Sequence, residues 1–146
     1  MSSIRQDWKT PKELYNSLYG KFKFDYDPCP AGKTFDGIDG LNVPWGKSNF
    51  VNLPYGSIKK WVKKSYEESM KGKLVVMLIP SRTDTRYWHD YIMKADEIWF
   101  VKGRLKFDDK NPAPFPSAII VFDGTRKEPH EDILLMSVNN KGEMIK

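Results

Sequence analysis

Cysteine is almost absent from this sequence: Cys29 stands alone among 146 residues. One thiol cannot close an internal disulfide, and only His89 and His130, far apart along the chain, could join it around a metal, so no Cys/His metal site is expected. Long apolar runs are missing too. No stretch approaches the roughly 20 residues that a membrane span requires. The opening "MSSIRQDWKTP" is polar where a secretory signal would carry an apolar core, and neither repeats nor low-complexity tracts occur. These absences predict a protein of the reducing cytoplasm, with no metal and no membrane partner.

What is present points to a folded domain. A hydrophobic fraction of 40% with 14% aromatics is too apolar for a disordered chain, and the length suits one domain spanning 1–146, with a core over about 8–122 and a charged extension over 123–146. The 24 basic against 19 acidic residues leave a charge of +5, which permits a polyanionic partner without demanding one.

Hydrophobic period and punctuation predict the elements. "TPKELYNSLYGKF" reads as a helix with Thr10 as cap, Pro11 at the first helical position and a stop at Gly20. "FKFDYDPCP" alternates apolar and polar residues as a first strand. The Gly- and Asp-rich stretch from Ala31 to Trp45 reads mostly as loop, and "NFVNLPY" as the next strand. "SIKKWVKKSYEESMKG" follows as an amphipathic helix capped by Ser57, with Ile58, Trp61, Val62, Ser65 and Met70 near one face and Lys59, Lys60, Lys63 and Lys64 on the solvated face. "KLVVMLIP" and "SAIIVF" are runs of the kind buried on both faces of a sheet; "DTRYWHDYIMKAD" reads as a helix, "EIWFVKG" as a strand and "DILLMSV" as an edge element. Strands alternating with helices predict an α/β fold with a mostly parallel sheet and helices on both faces.

In such sheets ligands bind beyond the carboxyl ends of the strands. Two unusual strand ends stand there: "DYDPCP", with Asp27, and "VNLPYG", with Asn52 and Tyr55. Each alone is a common turn former. Together they predict a site. Leu53 precedes a proline and is pushed towards extended backbone, and Pro54 fixes its own φ, so the Asn52 amide oxygen and the Leu53 carbonyl form two stiffly held acceptors beside the flat face of Tyr55. A planar ring bearing an exocyclic amino group, such as adenine, fits that arrangement. Two acceptors gripping its hydrogens draw the nitrogen towards tetrahedral geometry and localise its lone pair for attack.

At these residues the chain resembles the amino-methyltransferases acting on adenine N6, whose signature is (D/N/S)PP(Y/F/W), and more closely the short phage and prophage DNA N6-adenine methyltransferases related to Dam. The resemblance runs from Trp8 to Phe122 through "DWKTPKELY", "FDYDPCP", "DGLNVPW", "VNLPYGSIKKWV", "VVMLIPSRTDTRYW", "KGRLKF" and "PFPSAIIVF". It implies a Rossmann-like, S-adenosylmethionine-dependent enzyme of the host cytoplasm that methylates adenine in DNA. RNA as substrate, or a non-catalytic binding module of the same fold, are the alternatives. Asn52, Leu53, Pro54 and Tyr55 match the catalytic motif. Trp8, Thr10 and Pro11, the loop Asp27, Pro28, Cys29 and Pro30, and Asp39, Gly40 and Leu41 match cofactor-contacting segments. Arg82, Thr83, Arg86 and Arg104 stand where nucleic acid would be contacted, and Phe115 where a second ring would meet the target base. Two departures accompany the match: the cofactor loop lacks Gly-x-Gly, and Leu53 replaces the first proline of the motif.

Overall fold

The structure, a computed structural model, describes residues 10–29, 40–53, 55–106, 111–128 and 132–145. Five strands form one sheet in the order β1-β2-β4-β3-β5: β1 Ser48–Asn52, β2 Leu74–Pro80, β3 Glu97–Val101, β4 Ser117–Asp123 and β5 Leu134–Val138. The β1–β2 and β3–β5 ladders are parallel, whereas β4 runs antiparallel to both β2 and β3. Four strands therefore point one way and β4 opposes them. The expected mostly parallel sheet holds for strand direction, but half of its ladders are antiparallel.

Helices cover both faces, and the alternation along β2 shows how the sequence directs this. Val75, Met77 and Ile79 face the layer that holds Trp61 and Val62 of α2 (Ile58–Ser69) and Trp88 of α3 (Arg86–Asp90). Val76 and Leu78 face the opposite layer, with Leu14 and Leu18 of α1 (Lys12–Phe22), Phe50 and Trp99. A five-residue helix such as α3 would not persist alone. Burial of Trp88 and of Ile92, in the 3-10 turn Ile92–Lys94, holds it in place at about 1.5–3 kcal/mol for each large apolar side chain.

Several local expectations shift. The residue at the helix boundary of α1 is Pro11 and not Thr10, and the helix passes Gly20 to end at Lys23, which takes the left-handed conformation (φ 51, ψ 60). Phe22 packs its ring 5.8 Å from Trp99, and that contact offsets the roughly 1 kcal/mol that a helical glycine costs. The expected first strand reduces to one parallel bridge between Tyr26 and Asn49, because the Asp25 and Tyr26 N–H groups converge on the same Ser48 carbonyl. The helix expected after Thr83 breaks at Tyr91 into α3 and a 3-10 turn. Met70, expected on the buried face of α2, is 68% exposed at the helix end.

One buried charge ties three elements together. Glu68 of α2 is inaccessible to solvent, and its carboxylate accepts from Lys71 (2.8 Å), from Lys73 (2.6 Å) and from the Trp45 backbone N–H (2.8 Å), with Lys64 at 3.3 Å. Lys73 also donates to the Trp45 carbonyl at 2.9 Å, so a single ammonium bridges α2, the loop before β1 and the start of β2. Burial pushes the Glu68 acid up, but the bonds from Lys71, Lys73 and Trp45 and the charge of Lys64 outweigh it and hold the group at about 2.

Glu68→Ala is expected to cost about 2–4 kcal/mol in denaturant unfolding. This is somewhat below the cost of breaking a fully buried pair, because Lys71 is 60% exposed and can rehydrate. Since the folded value lies below the ordinary 4.5, the contribution of Glu68 is complete above pH 4.5 and is lost as pH falls towards 2. Parallel stability profiles for wild type and Glu68→Ala through that window would refute the assignment.

Candidate active site

Asn52 closes β1 and is 6% exposed. Along this strand Val51 and Leu53 point into the α2 layer, so Phe50 and Asn52 point to the face that α1 covers. Two contacts fix the residue. Its amide nitrogen donates to Thr10 Oγ1 at 2.9 Å, across 42 residues of sequence, and its backbone carbonyl accepts from Cys29 Sγ at 3.4 Å. The first contact orients the carboxamide: nitrogen towards Thr10, oxygen turned away from it. Thr10 therefore acts as a brace for the strand end and not as the helix cap expected of it.

Leu53 is fully buried in the α2 layer with Val51, Trp61 and Val62. A proline there could not reach as far into that layer. The departure from the double-proline motif thus serves packing, and the 3-10 turn Tyr55–Ser57 still follows directly. Pro54 lies outside the described residues, as does the side chain of Tyr55.

The acidic strand end meets the same place. Tyr26 bridges Asn49 and accepts from the Phe50 N–H, Asp27 Oδ1 accepts from the Cys29 N–H at 3.0 Å, and Cys29 then reaches Asn52. The Asp27–Cys29 turn and the end of β1 at Asn52 are thus neighbours, although only an isolated bridge stands where the first strand was expected. Desolvation pushes the Asp27 acid up to about 6, with the Cys29 N–H pulling it down. Asp27 is nonetheless exposed, so water screens much of that push. Among the described residues no cation pairs with it. Tyr15 of α1 lies close enough to feel the Asp27 charge: burial first, then Asp27, raises its phenol. Sequence reading missed Tyr15; its position one turn beyond Pro11 was the available signal.

Gly40 joins this group through close approach. A side chain there would lie 2.3 Å from the Pro28 carbonyl and 2.9 Å from the Trp61 ring. The Gly40 carbonyl accepts from Trp45 Nε1 at 2.7 Å, and Trp45, only 5% exposed, stacks on Trp61 with ring centroids 6.2 Å apart. Trp45 thus lies beneath the Gly40 turn as a strut. The struts end on Glu68, which sequence reading also missed, although Lys64 and Lys71 flank it at helical spacing. Leu41 packs half-buried against the same layer. Trp8, Pro30 and Asp39 lie outside the described residues.

The candidate nucleic-acid contacts divide. Arg82, Thr83 and Arg86 are exposed where the chain leaves the carboxyl end of β2, in a turn held by the Thr85 N–H and hydroxyl on the Arg82 carbonyl. Arg104 is exposed, with one guanidinium nitrogen on the Ala113 carbonyl at 3.3 Å. Phe115 is only 7% exposed: its ring belongs to the α1-side layer with Leu78 and Leu105, so it is a packed wall and not a presented face. A cavity of about 420 Å³ lined by Tyr66, Lys94, Asp96 and Arg126 lies elsewhere, at the amino ends of β2 and β3. Ligands of open α/β sheets bind at the other end, the end at which Asn52 closes β1. Among the described residues no His, Cys, Asp and Glu cluster could hold a metal, and no helix is long and apolar enough to cross a membrane.

The chain is 28% identical over 116 residues to a DNA N-6-adenine-methyltransferase of Escherichia phage T1, a match covering 73% of this chain and 49% of that protein. It thus spans about half the length of that relative. A crystal structure described as a class I S-adenosylmethionine-dependent methyltransferase from Listeria monocytogenes aligns with a TM-score of 0.45 at 15% identity, over 69% of this chain and 40% of that one. The profile of the Dam family, described as DNA N-6-adenine-methyltransferase, matches residues 1–146, and the chain belongs to that family.

Proposed function

We propose that this protein transfers a methyl group from S-adenosylmethionine to the exocyclic N6 amino group of adenine in DNA, in the cytoplasm of a host cell. The observation that carries the reading is the clasp on Asn52. Thr10 holds the amide nitrogen and Cys29 the backbone carbonyl, so the amide oxygen is an acceptor fixed before substrate arrives. Preorganisation of this kind stabilises developing charge without reorganisation during the reaction.

The residues at the strand ends fit the cofactor. S-adenosylmethionine carries an ammonium and a sulfonium, and Asp27 is an exposed carboxylate set by the Cys29 N–H, with no cation paired to it among the described residues. A bound ammonium would supply the cationic partner that this carboxylate lacks. Thr10 and the Asp27–Cys29 turn would hold the amino-acid end, and Gly40 and Leu41 would border the adenine end. The cofactor supplies an electrophilic methyl group on sulfur. The chain supplies the rest: the Asn52 oxygen and the Leu53 carbonyl take the two N–H groups of the target amine and direct its lone pair, and the proton released afterwards passes to a nearby acceptor or water. Arg82, Thr83, Arg86 and Arg104 would take phosphates, contacts that position the duplex without reading it.

Asn52→Ala is expected to lower methyl transfer to duplex DNA by about 10²–10³ while S-adenosylmethionine affinity changes less than about threefold. Tritium transfer to duplex DNA, single-stranded DNA and RNA, run side by side, checks both parts. Undiminished transfer by the variant would sink the catalytic assignment, and transfer to RNA alone would move the substrate. S-adenosylmethionine affinity by calorimetry is expected to fall about tenfold from pH 7 to pH 5, as Asp27 takes up its proton near 6 and loses the charge that holds the ammonium. Asp27→Asn should bind weakly with no such pH step; a variant that keeps the step would place it on another group.

A further inference from the structure

Six lysines lie on or beside α2, and the fold sorts them into two sets. Lys64, Lys71 and Lys73 are drawn to the Glu68 carboxylate, and Lys64 also lies 5.9 Å over the Trp45 ring. Lys59, Lys60 and Lys63 are exposed, and among the described residues no carboxylate lies within ion-pair distance of them.

An outer helix face must be polar, but nothing in that requirement selects lysine alone. Between Ile58 and Lys64 every residue other than Ile58, Trp61 and Val62 is lysine, and the first turn carries no acid. This is an unfavourable choice for the helix. Cations at a helix N-terminus oppose its dipole, and the like-charged pairs Lys59/Lys63 and Lys60/Lys64, four residues apart, cost about 0.2–0.5 kcal/mol each. Lys64 recovers that cost through Glu68, whereas Lys63 makes no ion pair with Glu67, four residues on, among the described residues. Lys59, Lys60 and Lys63 sit within two helical turns, about 10 Å, of the turn that follows Asn52 and Leu53. Lys60 and Lys63 also edge an open depression of about 350 Å³ with Leu41, Asn42 and Lys64; Glu67, at its far end, is the one acid on that rim.

Resting on the nucleic-acid substrate proposed above, we infer that Lys59, Lys60 and Lys63 form a phosphate-contacting surface that holds the substrate backbone beside the target adenine. Arg82 and Arg86, on the turn after β2, would hold the backbone from a second element. The α2 surface contributes affinity and placement, not sequence readout. A polyanion lying there also removes the like-charge penalty within the helix.

The test is a salt titration of duplex oligonucleotide binding by fluorescence anisotropy. It compares wild type, the triple variant Lys59→Gln, Lys60→Gln, Lys63→Gln, and a control with the same change in net charge, Lys94→Gln, Lys127→Gln, Lys141→Gln. Each phosphate contact removed lowers the slope of log affinity against log salt by about 0.9, so the α2 variant should lose about 2–3 in slope and the control close to none. Its S-adenosylmethionine affinity should be unchanged and its thermal midpoint equal to or above that of wild type. A merely structural role for these lysines predicts the opposite thermal result. Equal slopes for wild type and the α2 variant would overturn this surface and leave the adenine reading standing. A wild-type protein that binds neither duplex DNA, single-stranded DNA nor RNA would overturn both.

Discussion

The buried carboxylate of Glu68 is the point from which the rest of the site is built. A lone carboxylate without solvent would be prohibitive; here Lys73, Lys71 and Lys64 and the Trp45 N–H neutralise it together. Because Lys73 also grips the Trp45 carbonyl, Trp45 is held from both sides of its backbone. Its indole N–H is then committed to Gly40, and Gly40 lies tight against Pro28. From one charge at the far end of α2 the constraint passes through a tryptophan to the acidic loop. That loop in turn touches the end of β1 at Asn52 through Cys29.

This arrangement answers the absence of a glycine-rich cofactor loop. Glycines in such loops allow close backbone approach, and here the approach comes from the other partner, since Gly40 lets the Pro28 carbonyl lie where a Cβ would stand. Pro28 and Cys29 can then be bulkier and stiffer. Cys29, 3% exposed, fills the α2 layer and reaches the Asn52 carbonyl, so it is a structural thiol at the junction of two motifs.

How much of this was legible in the sequence depended on the range of the forces involved. β2 and β4 were readable because an unbroken apolar run fits only a strand with both faces covered, and α2 was readable from its period. The proximity of "DPC" to Asn52 was inferred from strand-end chemistry, and the contact of Cys29 Sγ with the Asn52 carbonyl shows it. Contacts set by tertiary packing were not readable. Nothing local distinguishes a threonine that caps a helix from one that braces an asparagine 42 residues away. Gly20 looked like a helix stop because the draw of Phe22 towards Trp99 is invisible to local propensity. The reversed direction of β4 was likewise beyond a pattern that reports burial and carries no sign.

That reversed strand carries a consequence for synthesis. β4 is wedged between β2 and β3, so both strands have emerged from the ribosome, yet lack their shared neighbour, until residues 117–123 follow. The braces around Asn52 belong to the first half of the chain, but the sheet beneath them keeps an open apolar margin along Leu74–Pro80 for the whole interval. A nascent chain stalled or cleaved before β4 would expose an unpaired edge of the kind that recruits strands from other molecules. Late closure of the middle of the sheet therefore makes shortened forms of this protein prone to aggregate, even those that contain every residue assigned to catalysis.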